Sequence, residues 1–430
     1  MQRLFSFSLA LSVNLAIVAP GLANESISKE ISVENSGSVD FTNAIRKQIE
    51  AKEFELAINA AENQIRNVER RDSRYDLDLT VPLVLLGDAL TEFGDYDGAL
   101  KAYDRAIHVT RVNLGLHDPK QVDIVYREAA TMFARGELNR ANDRQEYAYN
   151  ILLRNFNVRD PLMRPGIFRL ADWYTRTYNI FSARSLYELA GDLAIKHHGL
   201  GHPEVIRAYK SEAMTYRLER FRPSEMPSRQ ESTLSRSVGA PQDPIRQPRT
   251  SINNFAPGER ALLDVVNMLR TNPLSTKKDI ALAMLDLADW YLLFDQDSRA
   301  YTLYEDVWRQ LETSEQGLLD QELRFGKPIF LPLPNNPKPP PENLRGAPLE
   351  GVVELSLSID QEGKVTNIET LRTEPRGMME TKIKREIKRA RYRPAFENGR
   401  ARNLNDVRLE HRFTYFPRVA GNSTGSNTNN

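Results

Sequence analysis

Small residues recur along this chain at a fixed step of 42, and that step restricts the fold more than composition does. Ala57, Ala99, Ala141 and Ala183 keep it, as do Pro119, Pro161 and Pro203, then Gly87, Ala129, Ala171 and Ala213, and finally Ala106, Ala148 and Ala190. A period of this length is one supersecondary unit, too small to bury its own apolar face and stabilised by stacking on its neighbours. After Phe221 the step fails and returns altered. Leu170-Ala171-Asp172-Trp173-Tyr174 comes back 117 residues later as Leu287-Ala288-Asp289-Trp290-Tyr291, and Ala183, Leu186, Tyr187 and Glu188 come back as Ala300, Leu303, Tyr304 and Glu305. Two steps of 42 leave 33 residues over, which places an insertion at 222–257, where six prolines stand among Ser, Arg and Gln. Such a composition buries too little apolar surface to order itself.

Within one unit, Gly87, Leu90, Gly94, Tyr96, Ala99, Tyr103 and Ala106 fall where small residues let two antiparallel helices approach and larger ones fill between them. The unit resembles the tetratricopeptide repeat in its long-loop form, with Gly115 to Pro119 and Leu200 to Pro203 as connectors. Six units are expected, the first over about 40–69 and the last over about 277–312, with the insertion joining a helix A near 205–221 to a helix B near 258–270. The resemblance implies a superhelix whose inner groove binds a protein partner. Val84, Asp88, Thr91, Phe168, Asp172 and Arg176 hold the helix A positions that face that groove in the family.

The C-terminal fifth is patterned differently. Val353, Leu355, Leu357 and Ile359 alternate with polar residues, Asp360-Gln361-Glu362-Gly363 supplies a turn, and Lys364 to Leu371 returns as a second strand. Met379, Ile383, Ile387 and Ala390 line one side of a helix that ends before Arg393-Pro394, after which Val407, Leu409, His411 and Phe413 alternate again. This β-β-α-β order, with Asp360 to Val365 (DQEGKV) and Tyr392 to Gly399 (YRPAFENG), resembles the C-terminal domain of the TonB energy-transducer family. The resemblance implies a non-enzymatic periplasmic domain that pairs a strand edge with a segment of an outer-membrane partner. That edge maps to Val407, Arg408, Leu409, Glu410, His411, Arg412 and Phe413. A basic cluster also stands out: between Lys382 and Arg402 nine Lys and Arg face only Glu386 and Glu397. Its centre, Lys384, Arg385, Lys388, Arg389 and Arg391, reads first as a solvated helix face. The alternative is contact with anionic headgroups, cell-wall polymer or an acidic protein rim.

At the N-terminus, Arg3 precedes an uncharged stretch from Leu4 to Leu22 broken by Pro20-Gly21, and Gly21 and Ala23 stand at the −3 and −1 positions of a cleavage site before Asn24. This is the pattern of a cleavable export signal; the competing reading is an uncleaved anchor. The expected division is therefore a signal peptide at 1–23, a linker at 24–39, repeats at 40–221 and 258–312 around the insertion at 222–257, a proline-rich linker at 313–345, the TonB-like domain at 346–417 and a disordered tail at 418–430. The fold class is mainly α, a helical-hairpin superhelix followed by a small α+β domain.

Equal numbers of acidic and basic residues, 58 each, give no global pull toward nucleic acid. With no Cys there are no disulfides or thiolate metal sites. No His-Glu-x-x-His, Gly-x-Ser-x-Gly or phosphate-loop pattern occurs, and His197-His198 with His202 is at most a weak metal site. The sequence thus points to a non-enzymatic envelope adaptor without cofactor, metal or small-molecule substrate, whose mature chain does not span a membrane. Its repeats hold one protein, and its C-terminal domain docks an outer-membrane protein or the cell wall. The alternative is an energy transducer for outer-membrane transport. In the TonB family the anchor helix carries a His, and Leu4 to Leu22 has none.

Overall fold

The computed structural model describes residues 36–221, 254–314, 316–330, 349–415 and 417. The expected export signal, the insertion up to residue 253, the proline run at 331–348 and the C-terminal tail lie outside the described residues. Helices follow in antiparallel pairs: α1 (Ser36–Glu50) with α2 (Phe54–Arg71), α3 (Thr80–Phe93) with α4 (Tyr96–Leu114), α5 (Val122–Ala134) with α6 (Leu138–Asn155), and α7 (Arg164–Arg176) with α8 (Ile180–His198). Then come α9 (Pro203–Arg220) and α10 (Phe255–Thr271), followed by the pair α11 (Lys277–Leu293) and α12 (Asp297–Glu312). The chain divides into two compact units, the boundary falling inside α9 between Ala208 and Tyr209.

In the first unit the repeat is set by its connectors as much as by its helices. Asp76, Asp118 and Asp160, again 42 apart, each accept a hydrogen bond from the backbone N–H two residues on, at 2.8 Å, and open a short 3-10 turn that leads into the next helix A. Side-chain oxygens at such positions satisfy the orphan amides of a helix start. Behind these starts the helices close tightly because Gly87 lies against the ring of Tyr103, where even a methyl group would collide. One continuous apolar core runs from Ile65 to Ala208 and includes Tyr103, Met132, Ile167, Tyr174 and Leu186.

The second unit carries α10 to α12, then α13 (Gly317–Phe325), β1 (Ile329–Phe330), β2 (Leu349–Ile359), β3 (Val365–Glu374), α14 (Glu380–Arg389), β4 (Tyr392–Arg393), β5 (Ala395–Glu397), β6 (Arg400–Arg402) and β7 (Leu404–Tyr415). The main sheet is antiparallel in the order β3-β2-β7. Val353, Leu355, Leu357 and Ile359 of β2 join Leu409 and Phe413 of β7 on one face, and Ile383 and Ile387 of α14 complete that core. Asp360 makes the β2–β3 turn by accepting from the N–H groups of Glu362 and Lys364, at 2.9 and 2.8 Å.

Four boundaries differ from expectation, the first being α1, which starts at Ser36 inside the stretch 24–39 expected to be a linker. Helix α10 starts at Phe255, three residues inside the stretch assigned to the insertion, because Phe255 packs on Tyr291 and Phe294 of the same unit. The stretch 313–345, expected to be a linker throughout, contains α13, whose Phe325 is fully buried, and β1, which pairs with β4. The YRPAFENG segment adds β4 and a β5–β6 hairpin to the β-β-α-β order, turning at Asn398 and Gly399, both with positive φ. Such a two-residue turn matches the twist of its flanking strands.

Candidate partner-binding surfaces

Strand β7 lies at one edge of the main sheet and pairs with β2 on its other side. Its pairing runs unbroken from Val407 opposite Leu357 to Tyr415 opposite Leu349, beginning just after Asp406, whose φ of 57° bends the strand. The opposite edge, β3, is interrupted: its register against β2 shifts between Glu354 and Leu355 and again near the turn. Irregularities of this kind re-aim an edge and blunt it as a template for another strand, so β7 presents the more regular ladder. Of the residues expected there, Leu409 and Phe413 are buried in the core, Val407 and His411 are half-buried on the same face, and Arg408 and Arg412 are exposed on the other, with Glu410 paired to Arg412 at 2.5 Å. Burial, with Lys382 nearby, lowers the pKa of His411, whose ring stacks on Phe413.

The residues expected to face the repeat groove all lie in the first unit, where they join neighbouring repeats. Asp88 accepts from the hydroxyl of Tyr103 at 2.7 Å and pairs with Arg127 of α5 at 2.5 Å. Asp172 repeats the arrangement with Tyr187 at 2.7 Å and Arg207 of α9 at 2.6 Å. Burial, then the adjacent carboxylate, raises the pKa of both tyrosines well above the usual phenol range. Thr91 shares a hydrogen bond with Thr131, Arg207 lies over the ring of Phe168, and Arg176 lies over Phe133. Val84 packs against the core. Asp172 and Arg176 remain exposed, whereas Phe168 is buried. Sequence reasoning placed these residues on one helix face, but the arginines that meet the two carboxylates come from the next repeat and were not foreseen.

The basic helix is less open than its sequence. Lys384 pairs with Glu380 at 2.9 Å along α14, while Arg385, Lys388 and Arg389 are exposed. Arg391 does not belong to the solvated patch: its side chain is 12% exposed and pairs with Asp297 and, at 3.2 Å, with Asp295. Among the histidines it is His198 and His202, with Glu204, whose ligand atoms cluster, not His197. The Arg164 guanidinium, 2.9 Å from Glu204, already pairs with that carboxylate, so a cation would have to displace it, and burial, then Arg164, lowers the His198 pKa. No described helix is long and apolar enough to cross a membrane.

Residues 338–414 match the sequence pattern of the family described as Gram-negative bacterial TonB protein C-terminal. Among solved structures, the chain is similar to BtubC (BKLC) from P. vanneervenii, at 15% identity over 66% of this chain and 96% of that one, with a TM-score of 0.41. It is also similar to a STAND ATPase with a tetratricopeptide repeat sensor from Pyrococcus horikoshii, at 13% identity over 71% of this chain and 42% of that one, with a TM-score of 0.43. A third likeness is a thermophilic TPR protein of Thermus thermophilus, at 16% identity over 57% of this chain and 98% of that one, with a TM-score of 0.27. No curated protein matches. Paired helical hairpins thus precede a C-terminal segment that matches the TonB C-terminal family pattern.

Proposed function

We propose that this protein is a non-enzymatic periplasmic adaptor whose repeats hold one envelope protein while β7 takes up an extended segment of an outer-membrane partner by strand addition. The observation that carries this reading is the uninterrupted ladder of Val407 to Tyr415 at a sheet edge. In an antiparallel ladder alternate residues turn their backbone groups toward the paired strand and the residues between them turn theirs outward. Backbone pairing then supplies affinity, and the side chains facing the added strand supply selectivity. The charged Arg408, Glu410 and Arg412 suit such an edge, because they discourage indiscriminate pairing when no partner is present.

The test is a proline series. Arg408→Pro and Glu410→Pro each remove one backbone donor, while Arg408→Ala and Glu410→Ala keep it. Capture of an envelope partner by the mature protein should fall at least about tenfold with proline and change little with alanine, and the domain's circular dichroism should show it still folded. In the wild-type complex, amide exchange across Val407 to Phe413 should slow. Capture that survives both prolines but fails on charge reversal of Lys388 and Arg389 would transfer the contact to α14. N-terminal sequencing of the exported protein should begin at or near Asn24, and an intact Met1 in membranes would favour the energy-transducer reading.

A further inference from the structure

Asp88 and Asp172 each bind a tyrosine fifteen residues later in their own hairpin and an arginine from the next repeat's helix A. Asp289 in α11 is the third member of this series, and its tyrosine, Tyr304, again fifteen residues on, donates to it at 2.9 Å. Here α12 is followed by the short α13 (Gly317–Phe325), and the arginine on Asp289 does not come from that helix. It comes from the TonB-like domain: Arg393 Nε and Nη2 reach the two oxygens of Asp289 at 2.9 and 2.5 Å. We propose that the TonB-like domain is the closing unit of the repeat array, with Arg393 standing where a seventh repeat would have placed its arginine.

Burial agrees with this role. Side-chain exposure of the arginine and carboxylate is 27% and 22% for Arg127–Asp88, 51% and 47% for Arg207–Asp172, and only 8% and 14% for Arg393–Asp289. The terminal pair is the most enclosed because more than one side chain arrives with it. Arg393 Nη1 also donates to the carbonyl of Arg324 at 3.2 Å. Phe396 enters a cluster with Tyr304, Trp308 and Phe325, at ring separations of 6.3, 5.9 and 5.0 Å. Arg391 pairs with Asp297 at the start of α12, and β1, just after α13, pairs with β4. A repeat array needs a terminal element that covers its last apolar face, and this domain supplies one with a specific ionic key. A load on β7, if strand addition occurs there, would pass to α11–α13 through these contacts as well as along the chain.

The test is hydrogen exchange on the full mature chain without partner, so it does not depend on the strand-addition reading. In Asp289→Asn and in Arg393→Gln, amides of Asp297 to Phe325 should exchange about tenfold faster or more, while β2 and β7 keep their protection. The double variant should be no worse than the more affected single one, since each removes the same bond. Asp172→Asn should loosen α7 to α9 and leave α11–α13 unchanged. Asp289→Asn alters the array side only, so the result stands even if Arg393→Gln disturbs β4. Unchanged exchange in α11–α13 for Asp289→Asn, or additive effects in the double variant, would overturn the proposal.

Discussion

Glu128 has a side chain only 1% exposed, with Arg144 at 3.0 Å, yet burial outweighs that pairing and lifts its carboxyl to about 7. A carboxyl whose folded pKa exceeds its unfolded one stabilises the fold fully below the unfolded value and loses that contribution as pH rises through the folded one. Between about pH 4.5 and 7 the wild-type chain should therefore lose on the order of 1–3 kcal/mol that Glu128→Gln retains. Denaturant titration of both proteins across that range reads it as a difference of slopes. A second residue-scale prediction concerns Gly363, which has a φ of +68° and whose carbonyl accepts from the N–H of Tyr392 at 2.9 Å. A Cβ there would overlap the Tyr392 carbonyl oxygen. Gly363→Ala should lower stability by about 2–4 kcal/mol, seen as an earlier thermal transition of the C-terminal domain. The two TonB-like motifs, DQEGKV and YRPAFENG, thus meet at one backbone contact. The family resemblance marked both in the sequence and could not show that they touch.

At the scale of elements, α14 keeps one apolar face, and Ile383 and Ile387 are fully buried against β2 and β7. Ile387→Ala should cost about 2–5 kcal/mol, and Lys388→Ala no more than about 0.5 kcal/mol, in chemical denaturation followed at the C-terminal domain. Elements of this kind were legible because alternation and the i, i+4 spacing are local signals carried by residues such as Val353 to Ile359 and Ile383 to Ile387. The 42-residue step likewise made the hairpins legible through their small residues. Helix α13 was not legible: only nine residues long, it precedes a run of prolines, and its burial comes from Phe325 meeting Tyr304 and Phe396, contacts distant in sequence. Nor was the destination of Arg393, 104 residues from Asp289. One signal was available, the Asp and Tyr fifteen residues apart at 88, 172 and 289, each of which needs a cation that its own hairpin does not provide.

For the molecule as a whole, repeat stacking makes stability a property of neighbours. Tyr174 of α7 donates to Glu146 of α6 at 2.9 Å from a fully buried position, so Tyr174→Ala should cost about 3–5 kcal/mol and speed amide exchange in α5 to α8. The β3-β2-β7 sheet should keep its protection in the same sample, and loss there would show that the chain unfolds as one cooperative body. The unbroken run from Val407 to Tyr415 also has a length, roughly 30 Å at about 3.4 Å per residue. Any chain that pairs with it in full must stay extended over the same distance and keep an N–H at every second position. That requirement can be read as text in other proteins: a stretch of about nine residues, free of proline at alternate sites and outside any folded domain of its own.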